Sequence, residues 1–126
     1  MPGVASMAKD VARPLVMNLL HITWTFEYIE HNDWNTTDAR KAGVTYCSKN
    51  VMKVRLSDED GAYSEANIRE IVLHEMQHAI WFSMQLGQHK FPDDTEELEE
   101  LVTSSLTAPL LAVLRDNPEI VKYLTA

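Results

Sequence analysis

The feature that most constrains this chain is a five-residue segment, His74-Glu75-Met76-Gln77-His78, which matches the pattern H-E-x-x-H inside an apolar, helix-patterned stretch. Two histidines four residues apart lie one turn apart on the same helix face, so both imidazoles can reach one ion. The glutamate beside the first histidine can take a proton from a water molecule at that ion. The pattern is therefore typical of a zinc hydrolase, with His74 and His78 as metal ligands and Glu75 as the catalytic base.

The alternative interpretation of these residues is an ordinary amphipathic helix whose histidines are satisfied by hydrogen bonds. On a helical wheel with about 100° per residue, Glu75 falls within the arc of the apolar residues Ile71 and Phe82, and His78 falls near its edge. An ionised glutamate buried among apolar side chains without a partner costs several kcal/mol. A metal ion with its water is the simplest partner. The sequence therefore favours the metal site and predicts that the motif points into the buried side of the helix.

Length, charge and cysteine content limit the class of protein. The 126 residues suit one domain with a single core, so we expect residues 1–126 to form one unit, with 1–14 as either a flexible arm or a short helix. A net charge of −8 with scattered basic residues argues against a nucleic-acid partner. Cys47 is the only cysteine, and no uninterrupted apolar segment could cross a membrane. These features predict a cytoplasmic protein without a disulfide or a membrane partner.

Alternating apolar and polar residues predict the strands. The alternation from Leu20 to Tyr28 indicates one half-buried strand, and residues 43–47 could form a short second one. Residues 51–57 alternate apolar residues with Lys53 and Arg55, which is typical of an edge strand with one solvent-exposed face. We expect an α+β fold in which a small, mostly antiparallel sheet packs on the motif helix and on a following C-terminal helix.

Capping residues predict where the helices begin and end. Ser64 should cap the motif helix, which we expect to reach Leu86 before Gly87 ends it. Thr95 or Asp94 should cap a second helix that runs to about Arg115. Pro109 lies inside this second helix and is expected to kink or split it. Asn117 and Pro118 should stop it, and a last short amphipathic turn should follow and pack back on the core.

Two histidines do not complete a site, because a catalytic zinc ion normally has three protein ligands and one open position. One established pattern adds a histidine six residues after the second one, but Met84 occupies that position here. In the acidic cluster 96–100, Glu99 falls inside the apolar arc of the second helix and Glu100 falls outside it. We therefore predict Glu99 as the third ligand, with Glu100 as the first alternative and His89, between the helices, as the second.

Two segments resemble a known group of proteins: E-I-V-L-H-E-M-Q-H-A-I, and the later E-E-L-V-T-S-S-L-T-A-P-L-L-A-V-L-R-D-N-P. Together with the strands before them, they resemble the short zincin-like metallopeptidases encoded by bacteriophages and prophages, which are related in pattern to minimal gluzincins such as the ImmA/IrrE-like proteins. The resemblance covers the chain from about residue 20 to its end. It implies a zincin-like fold and, for a phage-encoded protein, a location in the host cell cytoplasm.

The same resemblance implies the roles of individual residues. Zinc would bind His74, His78 and a glutamate of the second helix, which falls on Glu99 with Glu100 next, and Glu75 would be the general base. The implied substrate is a peptide or a protein, held as an added strand along the edge strand at about 51–57.

Three functions are compatible with these observations. The preferred one is a zinc metallopeptidase that hydrolyses a peptide bond with a metal-activated water. The main alternative is a degenerate zincin that binds metal or a host protein without turnover, and the third is an interaction domain without a metal. The sequence leaves the residue that stabilises the oxyanion open between Tyr46, Tyr63 and His89, and it does not indicate the substrate or the oligomeric state.

Overall fold

A computed structural model describes residues 12–35, 41–85 and 90–126. The strands are β1 (Val16–Leu19), β2 (Ile22–Ile29), β3 (Gly43–Tyr46), β4 (Val51–Arg55), β5 (Ser57–Asp58) and β6 (Gly61–Ala62). The helices are α1 (Glu65–Ser83), α2 (Thr95–Asp116) and α3 (Pro118–Leu124). A small, mostly antiparallel sheet packs against helices, so the predicted α+β architecture is confirmed.

The main sheet has four strands in the order β1-β2-β4-β3. β2 and β4 run parallel, whereas the pairs β1–β2 and β3–β4 are antiparallel. β4 therefore lies inside the sheet and β3 lies at its edge, so the prediction of an edge strand at 51–57 is wrong. The prediction took Lys53 and Arg55 as solvent-exposed residues of an edge strand. Instead, Arg55 is only 4% exposed and donates a hydrogen bond to the Ser57 carbonyl at 2.8 Å. The Lys53 ammonium lies over the Tyr46 ring.

The alternating segment from Leu20 is one arm of a hairpin. β1 pairs with β2 across a two-residue turn in which Leu20 has a φ of 57°. Leu20 is exposed, while Trp24 and Phe26 are buried as the alternation indicates. The turn was missed because such hairpins usually carry Asn or Gly at positive φ, and this one carries leucine. β1 is also too short to give a periodic signal.

Helix α1 covers one face of the sheet. Ser64 caps it, since its hydroxyl accepts a hydrogen bond from the Asn67 backbone amide, which confirms the predicted start. The apolar side of α1 joins the sheet residues Trp24, Met52 and Val54 in one core. This side consists of Ile68, Val72, Met76, Ala79 and Ile80. The helix ends at Ser83, before the predicted Leu86, and the predicted terminator Gly87 lies outside the described residues.

Asparagine and aspartate side chains set the limits of α2. Asp94 caps its start by accepting a hydrogen bond from the Glu97 amide. The helix continues through Pro109, so of the expected kink or split the split does not occur. Asn117 ends it as predicted, and its buried side chain donates to the Asn18 carbonyl while its Oδ1 accepts from the Asn18 amide at 2.7 Å. This reciprocal pair fastens β1 to the junction of α2 and α3.

Glu65, at the start of α1, is bonded both to the segment before β1 and to the last helix. Arg13 donates two hydrogen bonds to the Glu65 carboxylate, which also accepts one from the Tyr123 hydroxyl. The hydrogen bonds from Arg13 hold the pKa of Glu65 below its ordinary value.

Residues 12–14 are not helical, and the rest of the predicted arm lies outside the described residues. The single domain over 1–126 stays a prediction.

Among residues 12–35, 41–85 and 90–126, no helix is long and apolar enough to cross a bilayer.

Candidate metal centre

The two motif histidines converge on one point at the surface of α1. Their Nε2 atoms are 3.2 Å apart, and their ring centroids are 4.9 Å apart. Two ligands on one tetrahedral zinc ion, each at about 2.0–2.1 Å, have nitrogen atoms separated by about 3.3 Å. The observed separation fits that requirement. Both rings are exposed, with the His74 side chain 67% accessible, so a metal and a substrate could reach them from solvent.

Glu75 lies on the buried side of the same helix turn and is 3% exposed. Its Oε1 accepts a hydrogen bond from the Thr45 hydroxyl at 2.8 Å, and its Oε2 lies 4.0 Å from His74 Nε2. The prediction that the whole motif points into the buried side is therefore correct for Glu75 and wrong for the histidines. The helix rotates about 100° between neighbouring residues, which separates the buried carboxylate from the exposed rings.

Gly43 makes room for the Glu75 carboxylate. A Cβ atom built on Gly43 would lie 2.6 Å from Oε2 and 2.8 Å from Cδ of Glu75. Any side chain at this position of β3 would therefore collide with the carboxylate. Gly43 and Thr45 are two residues apart on one strand, so both face α1 and together form the wall against which Glu75 lies.

A groove of about 1140 Å³ runs past the motif. Residues of β3 and α1 line it, and the β1–β2 hairpin adds apolar residues that include Ile22 and Trp24. Cys47 and Tyr63 also line the groove, and burial raises the pKa of both side chains. A tyrosine hydroxyl is protonated at neutral pH, so Tyr63 can donate a hydrogen bond into the groove.

The predicted third ligand does not join the histidine pair. Glu99 and Glu100 are both exposed on α2, and Glu100 accepts a hydrogen bond from the Ser104 hydroxyl at 3.0 Å. The expectation that Glu99 is buried is wrong, because α2 buries Pro109, Ala112 and Val113 near its C-terminal end. In the described parts of the chain, no three His, Cys, Asp or Glu residues lie in an arrangement that could hold a metal. His89 lies outside those parts.

The structure separates the two tyrosines that were candidates for the oxyanion. Tyr63 lines the groove, as noted above. The ring of Tyr46 lies beneath the ammonium groups of Lys49 and Lys53, at 6.0 Å and 5.3 Å from its centroid. Since Tyr46 follows Thr45 on β3, its side chain points to the opposite face of the sheet. Of these two tyrosines, Tyr63 is therefore the one that lines the groove.

Sequence reasoning missed Gly43 and Thr45. The two residues are two positions apart in a short predicted strand, and this spacing could have indicated that both lie on one face of the sheet. The sequence could not show that this face meets Glu75, because that contact joins residues 30 positions apart.

The sequence model of the SprT-like family matches residues 20–94, which is more than half of the chain. The chain therefore belongs to the SprT-like family, a zincin-like family that is related to metallopeptidases and is in general associated with zinc. The matched range contains β2 to β6 and the whole of α1. A search of curated proteins and a search of solved structures each gave no match.

We predict that Gly43→Ala destabilises the protein through its contact with Glu75. The added methyl group must displace the carboxylate, and overpacking of this kind typically costs about 1–3 kcal/mol of the free energy of unfolding. In a Glu75→Ala background the collision disappears. Gly43→Ala should then raise the free energy of unfolding by about 0.4–1 kcal/mol, because alanine lowers the conformational entropy of the unfolded chain. Urea unfolding of the four proteins measures both effects. An equal effect of Gly43→Ala in the two backgrounds would contradict the close approach of Gly43 and Glu75.

Proposed function

We propose that the chain is a zinc-dependent metallopeptidase that hydrolyses a peptide bond in a peptide or protein substrate. The single observation that carries the proposal is the convergence of the His74 and His78 Nε2 atoms beside the Glu75 carboxylate, at an open groove. Membership of a zincin-like family supports the same reaction. The phage origin, the kinship with ImmA/IrrE-like proteins and the cytoplasmic location stay predictions from the sequence.

The chain supplies the groups that handle protons and charge. Bound zinc would act as a Lewis acid on water and on the scissile carbonyl. Glu75 would accept the proton of the attacking water on Oε2, the oxygen nearer His74, and pass it to the leaving amine. Tyr63 would donate a hydrogen bond to the developing oxyanion, because it lines the groove and its hydroxyl carries a proton at neutral pH.

The free edge of β3 offers a place for the substrate backbone. Within the described residues, β3 pairs only with β4. The Arg55 amide donates to the Ala42 carbonyl, so alternate backbone groups from Ala42 onward face β4. The backbone groups of Gly43 and Thr45 consequently face away from β4, and a peptide could pair with them as an added strand. This edge takes the place of the strand at 51–57 in the sequence-based prediction.

We infer that the third zinc ligand is His89 rather than Glu99 or Glu100. In the described residues no acidic side chain completes a metal site with the histidine pair, and both glutamates follow the end of the family match at residue 94. His89 lies inside the matched range, beyond the end of the helix that carries the other two histidines. Imidazole nitrogen is a common ligand of catalytic zinc.

A degenerate zincin that binds metal or a host protein without turnover is the second candidate. It is favoured by one observation, namely that the described residues do not bring a third ligand to the histidine pair. Such a protein would keep His74 and His78 as a weak metal site and would leave the groove for binding alone. Peptide cleavage by the wild-type protein would exclude it.

We predict that Glu75→Gln abolishes hydrolysis and keeps zinc. Glutamine has nearly the same shape as glutamate but cannot take the proton from water, and loss of a general base typically costs about 10²–10⁴-fold in rate. Cleavage of a peptide library and elemental analysis of the same preparations measure the two properties. If Glu75→Gln lost its zinc, Glu75 would be a ligand, and if it cleaved peptides at the wild-type rate, it would not be the base.

We predict that His89→Ala removes stoichiometric zinc, as His74→Ala and His78→Ala should. Glu99→Ala and Glu100→Ala are the matched controls, and they should keep zinc and change stability by no more than about 0.5 kcal/mol, as exposed positions do. Zinc content and melting temperature with and without chelator measure the outcome, since a ligand of the folded state stabilises it. If Glu99→Ala lost its zinc and His89→Ala kept it, the third ligand would be Glu99, as the sequence predicts, and not His89.

A further inference from the structure

The Thr45 hydroxyl bridges the edge strand and the motif helix at Glu75. It lies 2.8 Å from Glu75 Oε1 and 3.2 Å from the Glu75 backbone carbonyl. A hydroxyl has one proton to donate, and the shorter contact leads to the carboxylate oxygen. A hydrogen bond to a carboxylate that is 3% exposed is stronger than one in water, because little solvent competes for it.

The two carboxylate oxygens of Glu75 have different surroundings. Oε1 is held by Thr45, whereas Oε2 lies 4.0 Å from His74 Nε2 and in the space that Gly43 leaves open. The terminal torsion of a glutamate has broad, shallow preferences, so the side chain alone does not fix which oxygen faces the histidines. Thr45 removes that freedom from one side, and the bare backbone of Gly43 allows the resulting orientation from the other.

We propose that Thr45 is a positioning residue, which anchors Oε1 of Glu75 so that Oε2 faces the histidine pair and the groove. The inference rests on the proposed function for its catalytic consequence, whereas the contact itself belongs to the fold. Thr45 does not touch the reacting atoms and acts only through Glu75. The backbone of Thr45 also lies on the edge of β3 that pairs with no other strand in the described residues. Thr45 would therefore link the place where the substrate backbone binds to the orientation of the base.

The kinetic test compares three variants. Thr45→Val keeps the shape of the side chain but removes the hydroxyl, and kcat should fall by about 10- to 100-fold, as for other residues that orient a catalytic group, while KM and zinc content stay near wild type. Thr45→Ser keeps the hydroxyl and should restore most of kcat. Thr25→Val, at an exposed position of β2, is the matched control and should behave as wild type. Equal loss of kcat in Thr45→Ser and Thr45→Val would overturn the role of the hydroxyl.

A second test needs neither zinc nor turnover. In metal-free protein, Thr45→Val should lower the urea midpoint of unfolding in the wild-type background and should change it much less in a Glu75→Ala background, because the hydroxyl then has no carboxylate to bind. Equal shifts in both backgrounds would refute the anchoring contact. If the wild-type protein cleaves no peptide, the proposed function fails, and this double-mutant cycle alone decides whether Thr45 holds Glu75.

Discussion

The burial of the Glu75 carboxylate between α1 and β3 is the interaction on which the rest of the groove depends. A carboxylate at 3% exposure needs a hydrogen-bond donor and space, and β3 provides both through Thr45 and Gly43. The contacts of Thr45 and Gly43 with Glu75 hold the edge strand β3 against the motif helix α1. The same rotation of the helix that buries Glu75 places His74 and His78 on the open side, where their Nε2 atoms converge. The groove is the space that remains between these two elements.

Much of this architecture follows from local patterns in the sequence. Ser64 and Asp94 cap the helices where expected, and Trp24 and Phe26 face the core as alternation requires. Contacts between distant segments explain the errors. Arg55 is basic but buried, because its guanidinium donates to the Ser57 carbonyl after β4 and to the Lys41 carbonyl before β3. No local pattern distinguishes such an arginine from one on an edge. Edge position depends on the parallel pairing of β2 with β4, which is a non-local property.

The geometry of the candidate metal site was predictable only in part for the same reason. The spacing of His74 and His78 fixes their convergence within one helix, so the sequence suffices for that pair. The position of Glu99 on a helical wheel indicates burial only if the apolar side of α2 packs along its whole length. Instead α2 is buried mainly near its C-terminal end, and Leu110 on the same helix is exposed. Packing between elements therefore decides which part of the apolar side of α2 is buried, and a wheel drawn for one helix cannot include that packing.

Membership of the SprT-like family and the geometry of the motif both support the proposal that His74 and His78 together hold a zinc ion at the groove. Anomalous diffraction at the zinc absorption edge, from crystals of protein loaded with one zinc ion per chain, tests it most directly. If both histidines bind the ion, one peak should lie at about 2.0–2.1 Å from both Nε2 atoms, on the side open to the groove. A zinc peak elsewhere on the molecule, with the two histidine rings still in contact with each other alone, would contradict it.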